Sequence, residues 1–190
     1  MRATLVLFTI LGVAVLGRAA VAEDARLAAS RDIANGMQSA LKAELVQTMT
    51  TAGPVGAIAV CRTRAPAIAA QAGNAAGVRV SRTALRLRNP ANAPDEQGRA
   101  VLEQFTERLR AGAAPGQLEH FAPAADGGAR FMAAIVMQPP CLVCHGDNIA
   151  EPVRQALREQ YPADAATGFA VGELRGAVVV DWPGGAQGAR

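Results

Sequence analysis

The sequence predicts an α+β domain in which an antiparallel sheet is flanked by helices, with a helix at its N-terminal end. Three observations carry this. Apolar residues recur at helical spacing in three separate stretches, short β-branched runs lie between and after them, and no internal repeat or regular strand–helix–strand period is present.

The elements follow in chain order. Leu27, Ile33, Met37, Leu41, Leu45 and Met49 recur at helical spacing, which predicts a helix from Asp24 to Met49 that Gly53-Pro54 stops. An apolar stretch, Val55 to Val60, runs into Cys61, and Ala65 to Ala72 fits one or two helical turns ending at Gly73. Val78 and Val80, then Leu85 and Leu87, alternate with polar residues as strands do; the phase slips between the pairs, so a turn, bulge or second strand is expected near Ser81 to Thr83. Asn89-Pro90 and Asn92 to Pro94 break the chain. From about Pro94 to Arg110 a second helix is expected, with Asp95-Glu96 in its first turn and Val101, Leu102, Phe105 and Leu109 as its buried stripe. Residues 113–129 read as a loop around a short strand at Gln117 to Phe121. Arg130 to Gln138 is an apolar run of strand length that Pro139-Pro140 ends. A third helix fits Ile149 to Gln160, a last strand fits Leu174 to Asp181, and Gly184 to Arg190 reads as a frayed tail.

The first 22 residues stand apart from this plan. Arg2 gives a basic start, Leu5 to Leu16 an apolar run, and Ala20-Val21-Ala22 a small-residue site. These are the three regions of a secretory signal peptide, so cleavage after Ala22 and a periplasmic or otherwise secreted location are expected. The apolar run falls short of the ~20 residues that a spanning helix needs, which limits any membrane contact to this segment if it stays uncleaved. Residues 23–190 are then a single domain, long enough for a core of its own. The leader carries two arginines and no acid, so the remainder has 17 basic and 16 acidic residues, a net charge of +1. Basic residues are dispersed and aromatics few, which excludes a nucleic-acid surface.

Cys141-Leu142-Val143-Cys144-His145 is the pattern of c-type haem attachment. Two thiols three positions apart add to the two vinyl groups of one haem, and the adjacent histidine presents its imidazole to the iron. Three other uses compete. A lone C-x-x-C serves as a thioredoxin-like dithiol, as a structural disulfide, or as half of a zinc site. Tetrahedral zinc needs four ligands, and outside the motif only Cys61 and His120 are strong nitrogen or sulfur donors. Export, the adjacent histidine and the odd count of three cysteines favour one covalent haem c. For the second axial ligand, spacing leaves Cys61, His120, Met132, Met137, Met37 and Met49 open.

Several short segments resemble, in order, a family of exported single-haem c-type proteins with a PAS-like fold, largely catalogued as a domain of unknown function. They are residues 57–61, Leu87-Arg88-Asn89-Pro90-Ala91-Asn92, Cys141 to Gly146, Tyr161 to Phe169 and Gly172 to Ala177. Together they span almost all of the chain beyond the leader. The resemblance implies a PAS-like antiparallel sheet with the haem packed beside it, and an upstream cysteine on the iron opposite the motif histidine. Carried onto this chain, the axial pair is His145 and Cys61. A thiolate ligand favours ferric iron and lowers the reduction potential relative to His/Met ligation, and Arg62 or Arg64 would supply positive charge beside Cys61. Arg88 and Arg175 lie within the shared segments; pairing with a haem propionate is one role for them, and the other for Arg88 is to hold the turn before Pro90. Asp164 is expected to organise the Tyr161–Gly168 loop, and Glu173 the turn into the last strand.

The sequence carries no Ser-His-Asp set, no paired carboxylates of recognisable spacing and no phosphate loop. Electron transfer or redox signalling with a separate partner protein is therefore the expected role. A haem-based redox or gas sensor is the alternative, and a C-x-x-C thiol oxidoreductase comes third.

Overall fold

A computed structural model describes residues 24–185; the expected signal segment and residues 186–190 of the expected tail lie outside them. No helix among the described residues is long and apolar enough to cross a membrane.

The N-terminal helix α1 (Ala25–Ala59) is capped by Asp24, whose carboxylate accepts from the Arg26 backbone N–H at 3.0 Å. It is broken at Gly53, where φ 67° and ψ −177° lie in a region open essentially to glycine alone. Gly53-Pro54 therefore ends one helical limb as expected, but Pro54 starts another at once, since a first-turn proline sacrifices no helical hydrogen bond. The second limb passes through one π-helical turn, Val60–Arg64, into α2 (Ala65–Ala76). The two limbs lie antiparallel as a hairpin. Glu44 on the first holds Arg64 on the second through Nε at 2.5 Å and Nη2 at 3.1 Å. The short helix expected at Ala65 to Ala72 thus belongs to a longer one that runs beyond Gly73. Gly73 is needed for close approach rather than termination, because a Cβ there would lie 2.5 Å from the Val78 carbonyl oxygen.

Four strands form one antiparallel sheet in the order β1-β4-β3-β2: β1 (Arg79–Thr83), β2 (Glu119–Pro123), β3 (Ala129–Val136) and β4 (Leu174–Trp182). This is the α+β arrangement that the sequence predicts, an antiparallel sheet flanked by helices with a helix leading. The hairpin covers one face, where Met37, Ile68 and Ala69 pack on Val80, Phe131, Val178 and Val180. Helix α3 (Glu96–Arg110) covers the other, setting Val101, Leu102 and Phe105 on Leu118, Met132, Ala177 and Val179. Covered on both sides, β4 has no polar face, which explains its unbroken apolar run Ala177-Val178-Val179-Val180. Trp182 closes the hairpin side by donating from Nε1 to the fully buried Ser30 Oγ at 2.8 Å.

One sequence expectation fails. Leu85 and Leu87 are not in a strand: β1 ends at Thr83, and the following residues form an irregular segment. Its backbone serves a different partner, since the Leu87 carbonyl accepts from the Ala165 N–H at 2.7 Å. That exchange draws residues 84–90 away from the sheet and towards the cysteine motif.

Candidate functional site

Pro139-Pro140 ends β3's exit and turns the chain through a single 3₁₀ turn into α4 (Leu142–His145), a helix of four residues. Cys141, Cys144 and His145 therefore share one turn of backbone. The loop before β4 is zipped against this turn. Phe169 N–H donates to the His145 carbonyl at 2.9 Å, and Gly168 N–H to the Gly146 carbonyl at 3.0 Å. The aromatic edge of Phe169 meets the His145 ring at 6.1 Å between centroids and 84° between planes.

The His145 ring is oriented by a backbone acceptor. Nδ1 lies 2.6 Å from the Ala166 carbonyl oxygen, and a carbonyl only accepts, so Nδ1 carries the proton and Nε2 the lone pair. Burial, reinforced by the charges of Arg88 and Arg175, lowers the imidazole to a pKa of about 3. The ring is neutral at physiological pH, the form in which an imidazole binds a metal.

Arg88 holds the surrounding backbone together. Its Nε donates to Asp164 Oδ2 at 3.1 Å, and its Nη2 donates to the carbonyls of Cys144 at 2.6 Å and Ala166 at 3.2 Å. Side-chain exposures of 8% for Arg88 and 9% for Asp164 make this a buried pair. Asp164 also accepts from the Ala166 N–H at 2.8 Å. It thus organises the Tyr161–Gly168 loop as expected, and Glu173 likewise accepts from Ala170 N–H at 3.0 Å in the turn before β4. The remaining Arg88 nitrogen, Nη1, stands 3.4 Å from His145 Nε2.

Cys61 sits in the π turn of the hairpin, half-buried. The wide turn follows Ile58, which shares an apolar cluster with Tyr161 and Cys144. The Cys61 thiol is close enough to contribute to the electrostatics of Cys144, Arg82, Arg175 and Tyr161. Burial is the largest cause of change in all four, raising the Cys144 thiol and the Tyr161 phenol and lowering both guanidinium groups, Arg175 to about 10. The structure thus gathers Cys61, Cys141, Cys144, His145, Arg88 and Arg175 in one region.

The other donors are placed elsewhere. Met37 lies in the hairpin-face core and Met132 in the α3-face core, with His120 opposite Met132 on β2. Met49 lies on the outer part of the first hairpin limb, and Met137 packs with Ala166, Phe169 and Cys141 on the motif's own side. Arg64 is drawn to Glu44 on the outside of the hairpin, and Arg62 is exposed. The cations that face Cys61 from the strands are instead Arg82 and Arg175. Sequence reasoning overlooked Arg82, Tyr161 and the Ala166 carbonyl. Arg82 carried a signal: it alternates in phase with Val80, a charge on the buried face of a strand.

A family model described as Tll0287-like matches residues 17–183. Among solved structures the chain is similar to the crystal structure of the cyanobacterial haem protein Tll0287, at 30% identity and a TM-score of 0.54, covering 66% of this chain and 73% of that one. No curated protein matches. A family match over nearly the whole chain and a shared fold at that identity lead to one conclusion: this protein belongs to the Tll0287-like family.

Proposed function

We propose that this chain is an exported c-type haem protein that carries one haem and serves in electron transfer or redox signalling with a separate partner protein. The haem is attached through Cys141 and Cys144, with His145 and Cys61 as its axial ligands. The observation that carries this reading is the His145 ring, locked by Ala166 with Nε2 unprotonated on the same helical turn as two cysteines. The residues fit the group on one condition. Arg88 Nη1 faces the lone pair that iron would use, so the planar guanidinium would have to tilt as a unit, about its bonds to Asp164 and Cys144, for His145 to hold a metal. When bound, the haem supplies one-electron chemistry; the protein orients the histidine, supplies a thiolate and excludes water. Export follows from the signal segment at residues 1–22 and puts the domain in a compartment that suits covalent haem.

Protein matured in the periplasm tests this by a pyridine haemochrome assay, with covalent haem as the expected result. Cys61→Ala is expected to replace a low-spin, thiolate-type ferric EPR signal with a different one; an unchanged spectrum excludes Cys61 as a ligand.

A sensor is the second reading, favoured by the position of Cys61. Cys61 lies in a π turn that interrupts an α-helix, a feature frequent at functional sites. Displacement of the Cys61 thiolate by carbon monoxide under mild conditions supports sensing, and rapid electron exchange with ligation intact supports transfer. The thiol-oxidoreductase reading is weaker, because burial pushes the Cys144 thiol up, opposite to the lowering that activates a reactive dithiol.

A further inference from the structure

Three guanidinium groups converge behind the cysteine motif, and they are not equivalent. Arg88 has its own carboxylate in Asp164 and two backbone carbonyls besides. Arg175 has no carboxylate at hydrogen-bond distance: its Nη1 donates to the Arg86 carbonyl at 3.1 Å, and its guanidinium lies 5.7 Å from the centre of the Phe169 ring. The Arg82 side chain makes no hydrogen bond or ion pair with any described residue, although it is half-buried. It shares a strand face with Val80 and pairs across the ladder with Val178, both in the core beneath the hairpin. Its charge therefore points to the side on which Cys61 lies.

A desolvated cation without an anion is costly, and a pair of them in one region costs more. The protein meets that cost for Arg88 with Asp164 but gives Arg82 and Arg175 no carboxylate at ion-pair distance, only the longer-range influence of Cys61 and, for Arg175, of Asp164. A ligand of two negative charges balances them, and a haem carries two propionate carboxylates on the edge away from its vinyl groups. We propose that Arg82 and Arg175 form an anion subsite for the haem propionates, while Arg88 remains committed to the protein. This rests on the haem reading. It adds Arg82 to the site and gives Arg88 a structural task in place of the propionate role its sequence context suggested. The arginine fork suits a carboxylate, and Arg82 and Arg175 bring two forks from the adjacent strands β1 and β4.

The test uses the haem-loaded protein, its covalent haem first verified by pyridine haemochrome. Arg82→Gln is expected to shift the propionate bending modes in the resonance Raman spectrum. It also moves the one-electron equilibrium about tenfold towards ferric haem, or about 59 mV, since a cation near the iron favours the reduced state. Arg82→Lys keeps the charge, so the potential stays near wild type while the propionate modes still change with the lost fork. The Raman shift persists when Arg82→Gln is combined with Cys61→Ala. Its disappearance there assigns Arg82 to the thiolate and overturns the subsite. Unchanged propionate modes in both Arg82 variants, with haem present, also overturn it and leave the haem reading standing. Wild-type protein without covalent haem overturns both. Should Arg82→Gln fold poorly, Arg82→Lys alone decides between a shifted and an unshifted propionate mode.

Discussion

Replacing Arg88 with methionine tests whether the buried arginine–aspartate pair is the joint of the motif region. The substitution keeps most of the side-chain volume and removes every donor. Asp164, 9% exposed, keeps the Ala166 N–H but loses its counter-ion. The carbonyls of Cys144 and Ala166 lose the donor at 2.6 and 3.2 Å, and Ala166 retains His145 Nδ1–H. A buried charge left unpaired costs about 3–5 kcal/mol, and an orphaned carbonyl about 1–3 kcal/mol where water cannot reach it. The carboxylate can protonate and the Cys144 carbonyl is near the surface, so about 3–5 kcal/mol is the expected total. Against a typical stability of about 5–15 kcal/mol that is a severe loss. Urea unfolding followed by circular dichroism measures it. The companion variant Asp164→Asn, alone and combined with Arg88→Met, completes a double-mutant cycle, and the combined protein should recover at least ~2 kcal/mol relative to additivity. A loss below ~1 kcal/mol, or additive effects, would refute the view that this pair holds the motif, the loop and the 84–90 segment together.

Two further expectations concern the scaffold. Gly53→Ala forces a side chain into a backbone region reserved for glycine, and should destabilise the hairpin by about 1–3 kcal/mol, read as a lowered thermal midpoint; an unchanged midpoint removes the hairpin turn from the account. Hydrogen bonds from Arg130 and the Gly98 N–H hold the Asp95 carboxyl below its ordinary value. A depressed carboxylate contributes stability above its unfolded pKa and loses it as pH falls through the folded one, so Asp95→Asn should lower stability near neutrality and flatten the acid limb of a pH–stability profile below about pH 4. A parallel acid limb in both proteins would remove that contribution.

The parts of the fold that rest on local pattern were legible in the sequence. Helix α3 carries its cap, its acidic first turn and its apolar stripe within fifteen residues, and the motif is five consecutive residues. What escaped depends on the chain meeting itself. Gly53-Pro54 looks like a full stop in one dimension; only the packing of Glu44 against Arg64 turns it into the bend of a hairpin. The alternation of Leu85 and Leu87 is a genuine strand pattern, but the Leu87 carbonyl bonds the loop at Ala165 instead of a neighbouring strand. The π turn at Cys61 leaves no trace in composition, because a single turn of five residues, with three polar ones in it, is too short to show a shift of apolar phase. Arg82, unlike Arg175, escaped notice, because it reaches the site by register: β1 and β4 are neighbours although about a hundred residues separate them.

That register has a consequence for how the molecule comes into being. The strand joining the two halves of the sheet is β4, the last in sequence, with β1 on one side and the β2–β3 ribbon on the other. Until residues 174–182 arrive, β1 has no neighbour, the ribbon has an open edge and neither helical layer has a complete floor. Long-range pairing of this kind makes a late, slow folding step. Cys141 and Cys144 precede it in sequence, so in a chain made N-terminus first both thiols are present while the sheet is unfinished. Under the proposed function, the arrival of this closing strand sets how long the two thiols can take up haem before the domain is complete.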